Sequence, residues 1–196
     1  MKHPLFSLLL ACTLGAAALT SARAADKEVA VLKTSEGELV ITFWPEVAPK
    51  TVANFIKLAK SGFYDGTAFH RIIDGFMIQG GDPQSKDLSK EALWGTGHSD
   101  ETIKAEFNDH KHEFGVISMA RSQDPDSASC QFFICLGPVS QLDGKYTAFG
   151  KLIKGDDVLR KLGKTPVGSN GHGETSKPTS RVALESVKIV PANSIK

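Results

Sequence analysis

Only two stretches of this chain carry apolar residues at helical spacing, and nearly half of its length lies between them. In the first, A48-P-K-T-V-A-N-F-I-K-L-A-K-S-G62, Val52, Phe55, Ile56 and Ala59 share one face; Pro49 suits a first turn and Gly62 a stop. The second runs from Asp156 to Leu162. The other apolar residues come in short β-rich runs. Residues 29–34 and 38–43 form a hairpin across S-E-G, followed by 69–73, 77–80, 115–120, 131–135, 147–152 and a last strand from Arg181 to Val190. Parallel pairing would need a crossover helix between most strands, and two helices cannot supply them. The pattern predicts an all-β dominated fold, with eight strands in an antiparallel sheet closed into a barrel. Two long polar connections, 83–104 and 163–180, are left as loops of the length that is usually functional or mobile.

The first two dozen residues are set apart from that fold. Lys2 and His3 precede an uncharged apolar run from Leu5 to Leu19, and Ala22-Arg23-Ala24 offers the small residues of a cleavage site. The run is too short to span a bilayer, so residues 1–24 are read as a secretory signal peptide cleaved near Ala24/Ala25. A rival reading, lipidation at Cys12 in L-L-A-C, would leave a very short leader and more apolar chain beyond it. Export is the expected fate, to the periplasm if the source is Gram-negative. Residues 25–196 form one domain, long enough to bury a core without metals or disulfides. Its charge is close to balanced and has no basic block, which argues against nucleic acid and anionic membranes as partners.

Two cysteines lie in C130-Q-F-F-I-C135. In a strand, residues five apart point to opposite faces, so these two cannot bond to each other and are read as buried small hydrophobes. His110 and His112 lack a third ligand at useful spacing and are read as a solvated loop, not a metal site. The stretch A68-F-H-R-I-I-D-G-F-M-I-Q-G-G-D82 is harder to explain as plain core, because Arg71 and Gln79 sit inside apolar runs. A long cation there must be solvated, paired or used.

That block, together with G95-T-G97, G115-V-I-S-M-A120, Q131-F-F-I134, L142-D-G144 and F149-G-K151, resembles the cyclophilin-type peptidyl-prolyl cis-trans isomerases, most of all their bacterial, exported, single-domain members. The resemblance implies an eight-stranded barrel with a helix closing each end, and substrate bound on the outside of the barrel wall. It implies an enzyme that rotates X-Pro bonds of unfolded or extended polypeptides, assists folding, and works as a monomer without a cofactor. A non-catalytic peptide-binding chaperone using the same groove is the rival.

Uncatalysed rotation of such a bond faces a barrier of ~18–20 kcal/mol, and no covalent bond breaks. In the twisted state the prolyl nitrogen regains its lone pair, so a donor aimed at it binds that state better than the planar one. Arg71 matches the family's catalytic arginine; Gln79 matches the glutamine that holds it. A three-residue turn, Asp74 to Phe76, is needed to pair Arg71 with Gln79 on one face, whereas a two-residue turn puts them on opposite faces. Phe76, Met77, Phe133 and Leu142 match the wall of the proline pocket, with Phe132 facing the other way. Gln131 and the backbone around Gly95, Ala120 and Arg121 match positions that bind the peptide main chain.

Three residues depart from the common pattern. Gln141 stands where many eukaryotic members carry a tryptophan that supports cyclosporin binding, so weak cyclosporin affinity is expected. Tyr146 replaces a common histidine and can still line the pocket. Arg121 replaces an asparagine common in eukaryotic members. His70 is expected to be a hydrogen-bonded structural histidine, since the reaction transfers no proton.

Overall fold

The computed structural model describes residues 27–195; the leader and Cys12 lie outside the described residues. Strands β1 (Glu28–Thr34) and β2 (Gly37–Phe43) form the expected hairpin, with Thr34 opposite Gly37. Helix α1 (Pro49–Lys60) starts on its proline and buries Val52, Phe55 and Ala59. Its first turn is capped from a distance: the Glu106 carboxylate accepts from the N–H groups of Lys50 (3.0 Å) and Thr51 (2.8 Å), satisfying donors that Ala48 cannot. Next come β3 (Thr67–Ala68), β4 (Arg71–Ile73), β5 (Met77–Gly80), β6 (Val116–Met119), β7 (Phe132–Cys135) and β8 (Ala148–Lys154). Helix α2 (Asp156–Gly163), β9 (Val167–Ser169), β10 (Thr175–Pro178) and β11 (Ala183–Pro191) complete the chain.

The main sheet is antiparallel throughout and runs β3-β11-β1-β2-β8-β6-β7-β5-β4. Two details correct the expectation. The sheet has nine strands, because the predicted run 69–73 is preceded by a separate short strand, β3. Its hydrogen-bonded ladder is also not closed, since β3 and β4 are its two edges. The chain itself joins them: the Phe69 N–H donates to Val182 O (2.9 Å) on one edge, and the His70 N–H to Gln79 O (3.1 Å) on the other. Two consecutive residues thus bring the edges of the curled sheet together. One chain segment, 67–73, thus serves both edges, pairing with β11 through its first part and with β5 through its second.

The connection 163–180 is not a bare loop. It holds β9 and β10, a small antiparallel sheet of its own. Its Gly, Ser, Thr and Pro content lacks the apolar alternation that marks a strand. Segment 83–104 likewise contains two 3₁₀ turns, 83–86 and 88–93.

The two faces of the sheet carry different cargo. Inside, Phe55, Tyr64, Phe69, Phe132 and Phe149 pack with Leu159 and Leu162 of α2 into the main core. Phe55 alone lies 5.0–5.5 Å, centroid to centroid, from Tyr64, Phe132 and Phe149. Outside, a smaller cluster gathers Met77, Val116, Phe133, Cys135, Val139 and Ala148. Phe132 and Phe133 face opposite ways, and so do Cys130 and Cys135, which are both free and buried.

Candidate active site

Arg71 is the first residue of β4, immediately after the step that closes the sheet. Gly75, at φ +72°, allows a three-residue turn in which the Phe76 N–H reaches Ile73 O (3.0 Å). The register that follows pairs Arg71 with Gln79, Ile72 with Ile78 and Ile73 with Met77. Ile72 and Ile78 therefore enter the core, while Arg71, Met77 and Gln79 point outward together.

The Arg71 guanidinium is held on three sides. Nε and Nη2 donate to the two carboxylate oxygens of Glu174, both at 2.7 Å. Nη1 lies 3.3 Å from Gln79 Oε1 and 3.8 Å from Met77 Sδ, with the Phe76 ring 5.9 Å from Cζ. From there a chain of amides leads away: Gln79 Nε2 donates to Gln131 Oε1 (3.0 Å), and Gln131 Nε2 to the carbonyls of Gly95 (3.0 Å) and Gly97 (2.7 Å). Since the guanidinium only donates, the orientation of both glutamines follows from it. Asp82 anchors the far end. Wholly buried, it accepts from the N–H groups of Gln84 and Gly95, and any side chain at Gly97 would strike it.

Beside Nη1 opens a shallow pocket lined by Phe76, Met77, Ala120, Arg121, Phe133, Leu142 and Tyr146, with Arg71 and Gln79 at its polar edge. Phe133 is clamped between the stacked ring of His112 (6.0 Å) and the edge of Tyr146 (5.8 Å). Arg121 lies over Tyr146, 4.5 Å from the ring centroid, and donates to the carbonyls of Ser122, Gln123 and Lys145. It thereby ties the 121–123 loop to the loop before Tyr146. A second, larger depression adjoins the first across Gln79, Ala120 and Arg121, and carries Gly95 and Gln131. Of the residues singled out from the sequence, only Gln141 stands apart: it is exposed and lines neither depression.

Both histidine expectations need correction. His112 is buried, not solvated. Its Nδ1 is 3.1 Å from Asp143 Oδ1 and its Nε2 3.0 Å from Ser118 Oγ, so it cements the layer under Phe133. His70 is structural, yet neither ring nitrogen finds a hydrogen-bond partner among the described residues. Burial is the main reason its pKa falls to about 4, so the ring is neutral near pH 7.

Sequence reasoning missed Glu174. The hydrogen bonds from Arg71 lower its pKa to about 2. It is the only acid in 163–180, a Gly-rich stretch, and that was the available signal.

Comparison with known proteins places this geometry. The family model "Cyclophilin type peptidyl-prolyl cis-trans isomerase/CLD" matches residues 29–189. A probable peptidyl-prolyl cis-trans isomerase of Brucella abortus is 41% identical over 159 residues, covering 79% of this chain and 81% of its own. A peptidyl-prolyl cis-trans isomerase-like 2 protein of Cryptococcus neoformans is 39% identical over 86% of this chain, which spans only 28% of that longer relative. Among solved structures, a Cryptosporidium parvum cyclophilin type isomerase, crystallised in the presence of the dipeptide Ala-Pro, superposes with a TM-score of 0.73 at 32% identity. The match covers 83% of this chain and 98% of that one. On this agreement of sequence, fold and matched length, the chain belongs to the cyclophilin-type peptidyl-prolyl cis-trans isomerase family.

Proposed function

We propose that the chain rotates X-Pro peptide bonds of exported polypeptides and so speeds their folding, without a cofactor. The observation that carries this reading is the position of Arg71 Nη1 at the polar edge of a small apolar pocket. A prolyl ring seated against Phe76, Met77, Phe133, Leu142 and Tyr146 is held by apolar contact, while the chain on either side lies along the open surface. Gln131 and the backbone near Gly95 and Ala120 hold that chain by hydrogen bonds to its peptide groups.

Rotation then proceeds in place. As the amide twists, conjugation is lost and the nitrogen becomes a hydrogen-bond acceptor that it is not in the planar state. Arg71 Nη1 donates to it, and Gln79 holds that amine at the pocket edge. A charge-assisted bond in a partly dried site contributes roughly 2–4 kcal/mol, selectively in the twisted state. Rates raised by ~10⁵ need about 7 kcal/mol, so grip on the ring and flanking chain must supply the rest.

The Ala-Pro dipeptide used with the Cryptosporidium parvum relative supports an X-Pro ligand here. The apolar leader-like start, residues 1–24, supports export, to the periplasm in a Gram-negative source. The domain acts as a monomer, and with Gln141 turned to solvent it binds cyclosporin weakly. A nanomolar dissociation constant for cyclosporin contradicts that last point.

The test is the isomerisation rate of a short X-Pro peptide with mature protein and with Arg71→Ala. Strong catalysis that falls by more than about 10²-fold in the variant fits one donor acting on the twisted amide. Absence of catalysis with peptide binding retained makes the groove a binding site, and the non-catalytic chaperone reading replaces this one.

A further inference from the structure

Arg71 has more donors than the reaction uses, and the protein commits two of them elsewhere. Nε and Nη2 are both taken by Glu174 in a parallel two-bond fork. Such a fork fixes the plane of the guanidinium as well as its position. What remains is Nη1, the one amine turned toward Gln79, Met77 and the pocket.

The segment carrying Glu174 is built to hold it. Asn170 Oδ1 accepts from the N–H groups of His172 (2.8 Å) and Glu174 (3.2 Å), and the Asn170 N–H donates to Glu174 O (2.9 Å). Gly171 and Gly173, at φ +80° and +85°, let the tip between β9 and β10 close this tightly. Lys177 pairs with Glu91 at 3.0 Å, fastening β10 to the 88–93 turn. A merely decorative surface ion pair would need none of this. Arg71 and Glu174 are each about one-third exposed (32% and 35%), so the pair borders the site without being sealed from it.

We infer that Glu174 is a positioning residue for the isomerisation: its carboxylate holds the Arg71 guanidinium so that Nη1 faces the pocket. The inference rests on the reading of Arg71 as the donor to the prolyl nitrogen. A carboxylate beside the cation offsets part of its charge. The gain is therefore geometric: the correct amine is in place before the amide twists, and no rotation of the side chain is needed at that moment.

Two measurements test this. In side-chain nitrogen NMR of the wild-type protein, the Nη groups of Arg71 should give separate signals, because the fork hinders rotation about Nε–Cζ. In Glu174→Gln they should merge. In parallel, Glu174→Gln should lower kcat on an X-Pro peptide by about tenfold while KM changes less than about twofold. Lys161→Ala breaks an exposed ion pair, with Glu36, that takes no part in the Glu174 hairpin, and should leave kcat unchanged. Merged signals in the wild type overturn the inference without any variant. An unchanged or increased kcat in Glu174→Gln overturns it too, as does an equal loss in Lys161→Ala. If the wild type itself shows no catalysis, the proposed function falls and this role with it. If catalysis is present and lost in Arg71→Ala but intact in Glu174→Gln, only the positioning role falls.

Discussion

Phe132 and Phe133 are neighbours in one strand and have opposite fates. Phe132 turns inward to the main core, against the rings of Phe55, Tyr64 and Phe69. Phe133 turns outward to a cluster bordered by Arg71, Gln79 and Tyr146. Both are nearly water-free, at 0% and 4% exposure. Burial alone therefore does not tell a structural phenylalanine from a pocket-forming one. The surroundings do: the inner face is closed by α1 and α2, whereas the outer face is left shallow and rimmed by donors. One sheet thus encloses a core on one side and carries an open pocket on the other.

The sharpest way to break this comparison is to truncate both rings. Phe132→Ala should cost about 3–5 kcal/mol of stability, read from the urea midpoint, because the cavity it leaves is enclosed. Phe133→Ala should cost less, since its site adjoins solvent and can relax, but should weaken turnover of X-Pro peptides. Equal losses of stability would mean that the outer cluster is as structural as the inner one.

Next in size is an acid effect at the seam between the edges. The pKa of His70 is about 4 when folded, against an ordinary value of 6.5. Its neutral form is the one that fits the fold, so its contribution is full above pH 6.5 and is lost as the pH falls through 4. The loss amounts to roughly 3 kcal/mol. Glu174 acts lower: with a folded pKa of about 2 against 4.5, its contribution is present above pH 4.5 and fades toward pH 2. For a side chain one-third exposed that is worth only about 1 kcal/mol after solvent screening. Urea midpoints measured from pH 7 to pH 3 should show the upper loss in the wild type, and His70→Asn should remove it. A wild-type midpoint that stays flat between pH 6.5 and 4 refutes the burial argument.

Smaller again is Gln131→Ala, which cuts the amide chain between Gln79 and the carbonyls of Gly95 and Gly97. KM for an X-Pro peptide should rise about tenfold, or ~1.4 kcal/mol, with the melting temperature nearly unchanged. A large drop in melting temperature instead would assign Gln131 to the scaffold.

The smallest expected effect is none. Burial raises the pKa of both cysteines, that of Cys135 to about 12, so neither should react with a thiol reagent in the native protein at pH 8. Full reaction should follow unfolding. Fast labelling of the native state would contradict their burial.

The sequence by itself determined the antiparallel β class, both helices, and the opposed faces of Phe132 and Phe133. Each of these follows from local periodicity and from the turn residues that bound it. The pairing of Arg71 with Gln79 was also legible once function was allowed to choose between two turn lengths. The tertiary structure decided what depends on contacts distant in sequence. The nine-strand order closes through Phe69 and His70, Glu106 caps a helix some fifty residues earlier, and His112 lies beneath Phe133. Glu174 reaches Arg71 from the far side of the chain. No pattern in a window of ten or fifteen residues encodes such meetings, because they arise only when the sheet curls and brings its two edges, and the hairpin beside them, to one place.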